Sequence, residues 1–337
     1  MDCFLFLLPT LSVYMEMKTD KILIIKSILG VKKMKLYGIG NALLYFREQK
    51  KLSQIQVCEG ICSEMTMSRI ETGEREYDSL MLETLLSCVG KSLENFEMVL
   101  NETDYYLYKL RERIQIAAEE KDIGSLKEYL EAYKKSMPAH MVLHQQFLVY
   151  YEAIIMKLEK GEKEKIISLL HKAIGFTRPS YKEKKQKRML YSTMESMIIY
   201  QLSLYEDYVE EMFYPLVQFV EEAYDEEVKE KFLIPFYTKL IQKYENEGRY
   251  DDMNNMAEKV LELFHFCRGL QLIDIHWAKV KAQAQLYENL GDWNARKKEL
   301  AWICNELYYM YMIEGDDAKM RLIETFCKEK LECQIIM

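Results

Sequence analysis

Five short interruptions, set at nearly even spacing through the last two thirds of the chain, constrain its fold more than any other feature. Asp122-Ile123, Gly161-Glu162-Lys163, Glu206-Asp207-Tyr208, Gly248-Arg249-Tyr250 and Gly291-Asp292-Trp293 recur at intervals of 40, 45, 42 and 43 residues, counted from Ile123 through Lys163, Tyr208, Tyr250 and Trp293. Between them, apolar residues rich in Tyr, Leu and Ile stand three and four apart over stretches of about fifteen to twenty residues, the period of an amphipathic helix. Each interruption therefore separates two helices, and the pairs are expected to stack as a solenoid in which every helix buries one face on its neighbours. Punctuation is sparse. With 13 Gly and 5 Pro in 337 residues, and prolines expected in short breaks or helix starts, the chain reads as all-α.

Ahead of this array lies a segment of another character. Leu52 to Gly73 reads as two short helices joined by a tight turn. Ser53 caps the first, whose apolar side is Ile55, Val57 and Cys58, and Gly60 stands where that helix must stop and reverse. Ser63 caps the second, which sets Met67 and Ile70 on one face, turns Glu64, Met65, Ser68 and Arg69 elsewhere, and ends at Gly73. This is helix-turn-helix geometry, in which the second helix enters the DNA major groove. A helix over 39–50 with Leu43, Leu44 and Phe46 inward precedes it, and helices over 79–89 and 93–100 follow. Five short helices in about seventy residues make a complete small domain.

The entry Arg47-Glu48-Gln49-Lys50-Lys51-Leu52-Ser53-Gln54 and the exit Ser68-Arg69-Ile70-Glu71-Thr72-Gly73 resemble the phage-repressor, or XRE-type, DNA-binding domain. The resemblance implies that Glu64, Met65 and Arg69 read bases. Arg69 would hold guanine O6 and N7, Met65 would pack on a thymine methyl, and Glu64 would accept from cytosine N4 or else face the helix dipole. It also implies a phosphate contact from Gln54, with Ser63, Thr66, Ser68 and Lys50 adding contacts to the DNA backbone. The Gly-Asp-aromatic turns of the array resemble the tetratricopeptide repeat, with a longer period. Transferring register between repeats puts Thr238, Gln242 and Glu245 on one stripe, Lys281, Gln285 and Glu288 on the next, and Tyr151 and Tyr200 on similar faces, the expected lining of a groove for an extended peptide.

A repressor-type head on a helical-repeat body resembles the peptide-pheromone regulators of Gram-positive bacteria, the Rgg and PlcR group. That resemblance implies a homodimeric transcription regulator that binds a double-stranded DNA operator and is controlled by a short signalling peptide. Two rival readings are a regulator governed by a protein partner and an interaction scaffold without DNA binding. The division expected is 1–33 as a non-native or disordered extension with the natural start at Met34, 34–100 as the DNA-binding head, and 101–337 as the regulatory repeats.

Charge limits the mode of DNA contact. The net charge of −8 argues against general polyanion binding, and within 34–75 six cations against five acids leave a balance of +1, so contact must be local and is easier for two copies together. Cysteines 3, 58, 62, 88, 267, 304, 327 and 333 form no CxxC pair and read as reduced thiols of a cytoplasmic protein, with Cys58 and Cys62 as small core residues. The apolar run 3–15 contains Pro9 and is too short to span a bilayer, so no membrane association is expected. His140 and His144, four apart, lack a third ligand and read as ordinary histidines, and the basic run 182–188 as a solvated helix start. No Walker-type loop, Gly-x-Gly-x-x-Gly or Gly-x-Ser-x-Gly occurs, so the sequence predicts neither catalysis, cofactor nor metal.

Overall fold

A computed structural model of the chain describes residues 38–74, 78–93, 96, 100–181, 190–206, 210–224, 226–263, 271–288 and 293–335. The N-terminal extension, the basic run 182–188 and most of the helix expected over 93–100 lie outside these residues. Among the described residues there are fifteen helices and no strands, so the all-α expectation holds. They run α1 (Ile39–Gln49), α2 (Gln54–Cys58), α3 (Glu64–Glu71), α4 (Ser79–Cys88), α5 (Glu102–Glu119), α6 (Ile123–Ser136), α7 (Val142–Leu158), α8 (Lys163–Gly175), α9 (Thr193–Ser203), α10 (Glu210–Ala223), α11 (Glu226–Asn246), α12 (Tyr250–Leu263), α13 (Gln271–Glu288), α14 (Trp293–Glu314) and α15 (Asp317–Glu329). The five interruptions fall between α5 and α6, α7 and α8, α9 and α10, α11 and α12, and α13 and α14. No described helix is long and apolar enough to cross a membrane.

The chain divides into two compact units, Met1–Lys229 and Glu230–Met337. In the first, α1 packs on α3 and α2 on α3 and α4 around Leu43, Val57, Met67, Ile70, Leu82 and Leu85. Helix α4 also packs on α5, α7 and α9, which makes it a core member of the repeat helices as well. Its N-terminus sits in a buried polar cluster. The Ser79 amide donates to Asp104 Oδ2 at 2.9 Å, its hydroxyl to Asp104 Oδ1 at 2.7 Å, and Arg111 donates to the same hydroxyl at 2.7 Å. Asp78 caps α4 through the Met81 amide, and the Tyr133 hydroxyl shares a 2.6 Å hydrogen bond with His144 Nδ1. Hydrogen bonds to charged groups stabilise by about 1.5–3 kcal/mol each, so this cluster fixes α4 against α5 firmly.

Two glycines let backbone approach backbone. Gly60, at φ 76°, and Gly90, at φ 75°, would each place a Cβ within 2.0 Å of a carbonyl oxygen, that of Thr177 just past α8 and that of Ala223 at the end of α10. Any other residue would be strained at both and would push the helix ends away. Helix α7 is buried nearly all round, as a helix that is apolar on every side must be.

The second unit stacks α12 on α13, α13 on α14 and α14 on α15 around Val280, Ala284, Leu300, Cys304, Leu307, Tyr311, Ile323 and Cys327. The described cysteines 58, 62, 88, 304, 327 and 333 are thiols rather than disulfides, Cys58 buried and Cys62 half-buried.

Two expectations need correction. Pro215 and Pro235 lie inside α10 and α11 rather than at breaks or starts, where each leaves the carbonyl four residues earlier without its helical donor. Ile55 is 55% exposed instead of packing inward, because only Val57 and Cys58 of α2 turn to the core. The two histidines are ordinary, as read: His140 precedes α7 and is exposed, while His144 is buried and bonded to Tyr133.

Candidate nucleic-acid interface

Both helix starts of the motif form as their sequence dictates. Ser53 accepts from the Gln56 amide while the Gln56 side chain returns to the Ser53 amide, a reciprocal capping box. Ser63 accepts from the Thr66 amide at 3.1 Å, and the two hydroxyls lie 2.9 Å apart. Such caps fix where each helix begins, and so which side chains of α3 look outward.

Met67 and Ile70 of α3 are wholly buried, whereas Ser63, Glu64, Met65 and Arg69 are exposed and Thr66 and Ser68 half-exposed. Met65 is 65% exposed, an unusual position for a large apolar side chain. The outer face of α3 thus presents a carboxylate, a thioether, a guanidinium and hydroxyls to solvent. These are groups that can meet base edges, a thymine methyl and phosphate oxygens. Ile55 adds a second exposed apolar side chain from α2. Its signal in the sequence was the Gln-Ile-Gln run, which surrounds it with polar neighbours.

Two residues expected on phosphates are engaged otherwise. The Gln54 side chain donates to Glu71 Oε2 at 2.6 Å, and Arg47 grips both oxygens of the same carboxylate at 2.6 and 2.9 Å while donating to the Leu52 carbonyl at 2.7 Å. Glu71 is buried, and its hydrogen bond is the leading cause that raises the Arg47 pKa, which burial opposes. The two ends of the repressor-like signature, Arg47 with Gln54 at the entry and Glu71 at the exit, are therefore one interlocked cluster that holds α1, α2 and α3 together. Lys50, also expected on the DNA backbone, donates to the Ala223 carbonyl at the end of α10 at 2.6 Å, in this arrangement tying the head to a repeat helix.

The expected peptide stripe is only partly available. Tyr151 is 3% exposed among Phe147 and Tyr150, and Tyr200 is 6% exposed, so both are core residues and not groove lining. Burial is the main reason the Tyr151 hydroxyl is held well above its ordinary pKa. Register transfer failed at these two because α7 and α9 are enclosed on every side. Thr238, Gln242, Lys281 and Gln285 are half-exposed on α11 and α13. Thr238 returns its hydroxyl to the Ile234 carbonyl at 2.8 Å, and Lys281 pairs with Glu245, which joins the two stripes directly. Among the described residues no cluster of His, Cys, Asp or Glu is arranged to hold a metal ion.

No family model and no curated protein matches the chain. Similar solved structures include PlcR of Bacillus thuringiensis in complex with the peptide PapR7 and DNA, at 16% identity and a TM-score of 0.48, covering 85% of this chain and 98% of that one. The SHP pheromone receptor Rgg2 of Streptococcus dysgalactiae is similar at 15% identity and a TM-score of 0.38, covering 87% and 99%. The apo competence regulator ComR of Streptococcus vestibularis is similar at 15% identity and a TM-score of 0.41, covering 87% and 97%. The solved structures that this chain is similar to thus include members of the Rgg and PlcR group that its sequence resembles.

Proposed function

We propose that this chain is a sequence-specific DNA-binding transcription regulator, with residues 34–100 as the operator-reading head and 101–337 as a regulatory array that binds a short peptide and acts as a homodimer. The observation that carries the DNA part is the outer face of α3, where a capped helix start leaves Glu64, Met65 and Arg69 open to solvent above a fully buried Met67 and Ile70. Arg69 holds a guanine, Met65 packs on a methyl, and the hydroxyls of Ser63 and Thr66 with the start of α3 meet phosphate. Lys50 and Gln54 serve the scaffold of the head instead.

For the array, Gln242 and Gln285 are the side chains best suited to the main-chain amides of an extended peptide, being amides on half-exposed stripes of α11 and α13. Peptide control requires the ligand to bind the DNA-competent and incompetent states unequally, since equal affinity shifts nothing. The anchoring of head residues Lys50, Gly60 and Gly90 on the ends of α8 and α10 supplies a physical route from array to head within the first compact unit.

The test is an electrophoretic shift with operator DNA recovered by selection, with and without peptides encoded beside the gene. A specific shift that responds to one peptide supports the whole reading. A shift indifferent to every peptide leaves a regulator governed by a protein partner, and no shift with any sequence leaves an interaction scaffold.

A further inference from the structure

Among the described residues, three thiols meet in the second unit. Cys304 comes from the middle of α14, Cys327 from the last turn of α15, and Cys333 from the segment that follows. Cys304 and Cys327 are wholly buried, while Cys333 is half-buried against them, with Ile335 packed on the same core. The Cys327 thiol shares hydrogen bonds with those of Cys304 and Cys333.

The backbone after α15 brings the third thiol back over the second. The Leu331 amide donates to the Phe326 carbonyl at 3.3 Å, and the Cys333 amide then donates to the Cys327 carbonyl at 3.0 Å. By standard backbone dimensions that one bond holds the two Cα atoms within about 7 Å, the limit of what a disulfide can join. The return runs through Glu332, a non-glycine residue in the left-handed region at φ 55°, where a side chain crowds its own backbone. Its carboxylate lies 3.0 Å from Lys297 Nζ near the start of α14, and Lys330 pairs with Glu288 at the end of α13. A strained residue marks a place that the surrounding contacts over-determine, and here they set one thiol against another.

We propose that Cys327 and Cys333 are a redox pair that a peroxide closes into a disulfide, locking the segment after α15 onto the core of the second unit. Cys333 is the sulfur that an oxidant from solvent reaches. Its thiolate attacks one oxygen of hydrogen peroxide and the O–O bond breaks; a sulfenic acid forms, and the hydroxide released takes up the proton Cys333 lost. The Cys327 sulfur then attacks the sulfenic sulfur. The S–S bond forms, the S–O bond breaks, and the hydroxide leaves as water with the Cys327 proton, so two thiols are oxidised and one peroxide becomes two waters. Burial and the neighbouring Cys327 push the Cys333 thiol up to about 11 against the pull of Lys297, and the bond to Cys304 together with burial holds Cys327 well above its ordinary range. Little thiolate is present at neutral pH, so closure is slow and answers sustained exposure. Enclosure of Cys327 leaves only the Cys333 sulfur open to a reducing thiol, so reopening is slow as well. The inference rests on no part of the proposed function.

Treatment of the reduced full chain with excess hydrogen peroxide, followed by alkylation of the remaining thiols and tryptic mapping, tests it. Cleavage after Arg321, Lys328 and Lys330 puts Cys327 and Cys333 on separate peptides and Cys304 on a third, so each pairing has its own mass. The folded wild-type chain is expected to yield the bond between Cys327 and Cys333, reversed by dithiothreitol, with hydrogen exchange of the amides of 328–335 slowed at least about tenfold. Cys333→Ser is expected to melt as the reduced wild type does and to show neither change. Thiols that all survive the peroxide, Cys333 carried to its sulfinic acid without a bond, or a bond from Cys327 to Cys304 instead each overturn the proposal. So does a pair that forms only in denaturant, or a Cys333→Ser chain whose exchange slows as much as that of the wild type.

Discussion

The outer faces of α3 and α14 are both helix surfaces turned to water, yet they offer a partner opposite things. On α3 a single apolar side chain, Met65, stands among Glu64, Ser68 and Arg69, over a head tied together by the buried Arg47, Glu71 and Gln54 cluster. On α14 five large apolar side chains, Trp302, Tyr309, Met310, Met312 and Ile313, are exposed with Glu306 among them, and the helix rests on an apolar core. Directional donors and acceptors distinguish one base pair from another. Apolar area gives affinity without reading anything.

The comparison is most easily broken at its foundation. Glu71→Ala leaves Arg47 and Gln54 without their acceptor and is expected to destabilise α1 to α3 by about 3–5 kcal/mol, read by hydrogen exchange of their amides. Trp302→Glu, on an exposed face, is expected to change stability by less than about 0.5 kcal/mol. Equal losses from the two would remove the distinction between a surface held by polar cross-bracing and one that merely rests on a core.

Next in size is the reading of bases. Arg69→Ala is expected to weaken the specific operator complex by about 1–3 kcal/mol, or roughly 5- to 150-fold, in an electrophoretic shift, with no change in melting temperature. Lys50→Ala is expected to cost about 1 kcal/mol of stability and to leave the slope of log K against log salt unchanged. A slope reduced by about 1 would return Lys50 to the phosphates.

The smallest effect is acid sensitivity at the junction of α4 with the repeats. Burial works against the Asp78 carboxylate, but His144, the Met81 amide and Arg111 together outweigh it, so its pKa is lowered. Its contribution to stability is therefore complete above the ordinary carboxylate range and is lost as pH falls through the lowered value. Asp78→Asn is expected to flatten the acid limb of a melting-temperature profile and to leave the neutral region level. An unchanged acid limb would place the sensitivity elsewhere.

What the sequence made legible was local. Ser53 and Ser63 announce helix starts because the bonds they make span three residues, and Met67 and Ile70 announce an inward face because helical periodicity puts them there. What it hid depended on distant partners. The Arg47 and Glu71 pair is 24 residues apart, and no spacing along the chain announces that the two ends of the signature brace one another. Lys50 reaches a carbonyl 173 residues away. Tyr151 and Tyr200 took their expected exposure from a repeat register that says nothing of how many neighbours enclose a helix. Ile55 shows the converse, an apolar residue left outside because the short α2 offers its core only one side.

The claim on which the account turns is that the exposed side of α3 reads base pairs, and selection of bound sequences from random double-stranded DNA, run side by side with the wild-type chain and Arg69→Ala, tests it most directly. The account predicts a two-fold symmetric consensus for the wild type, and for the variant a relaxed preference at one base pair of each half-site with the rest retained. Enrichment of no sequence, or of the same site at full strength by both proteins, would contradict it.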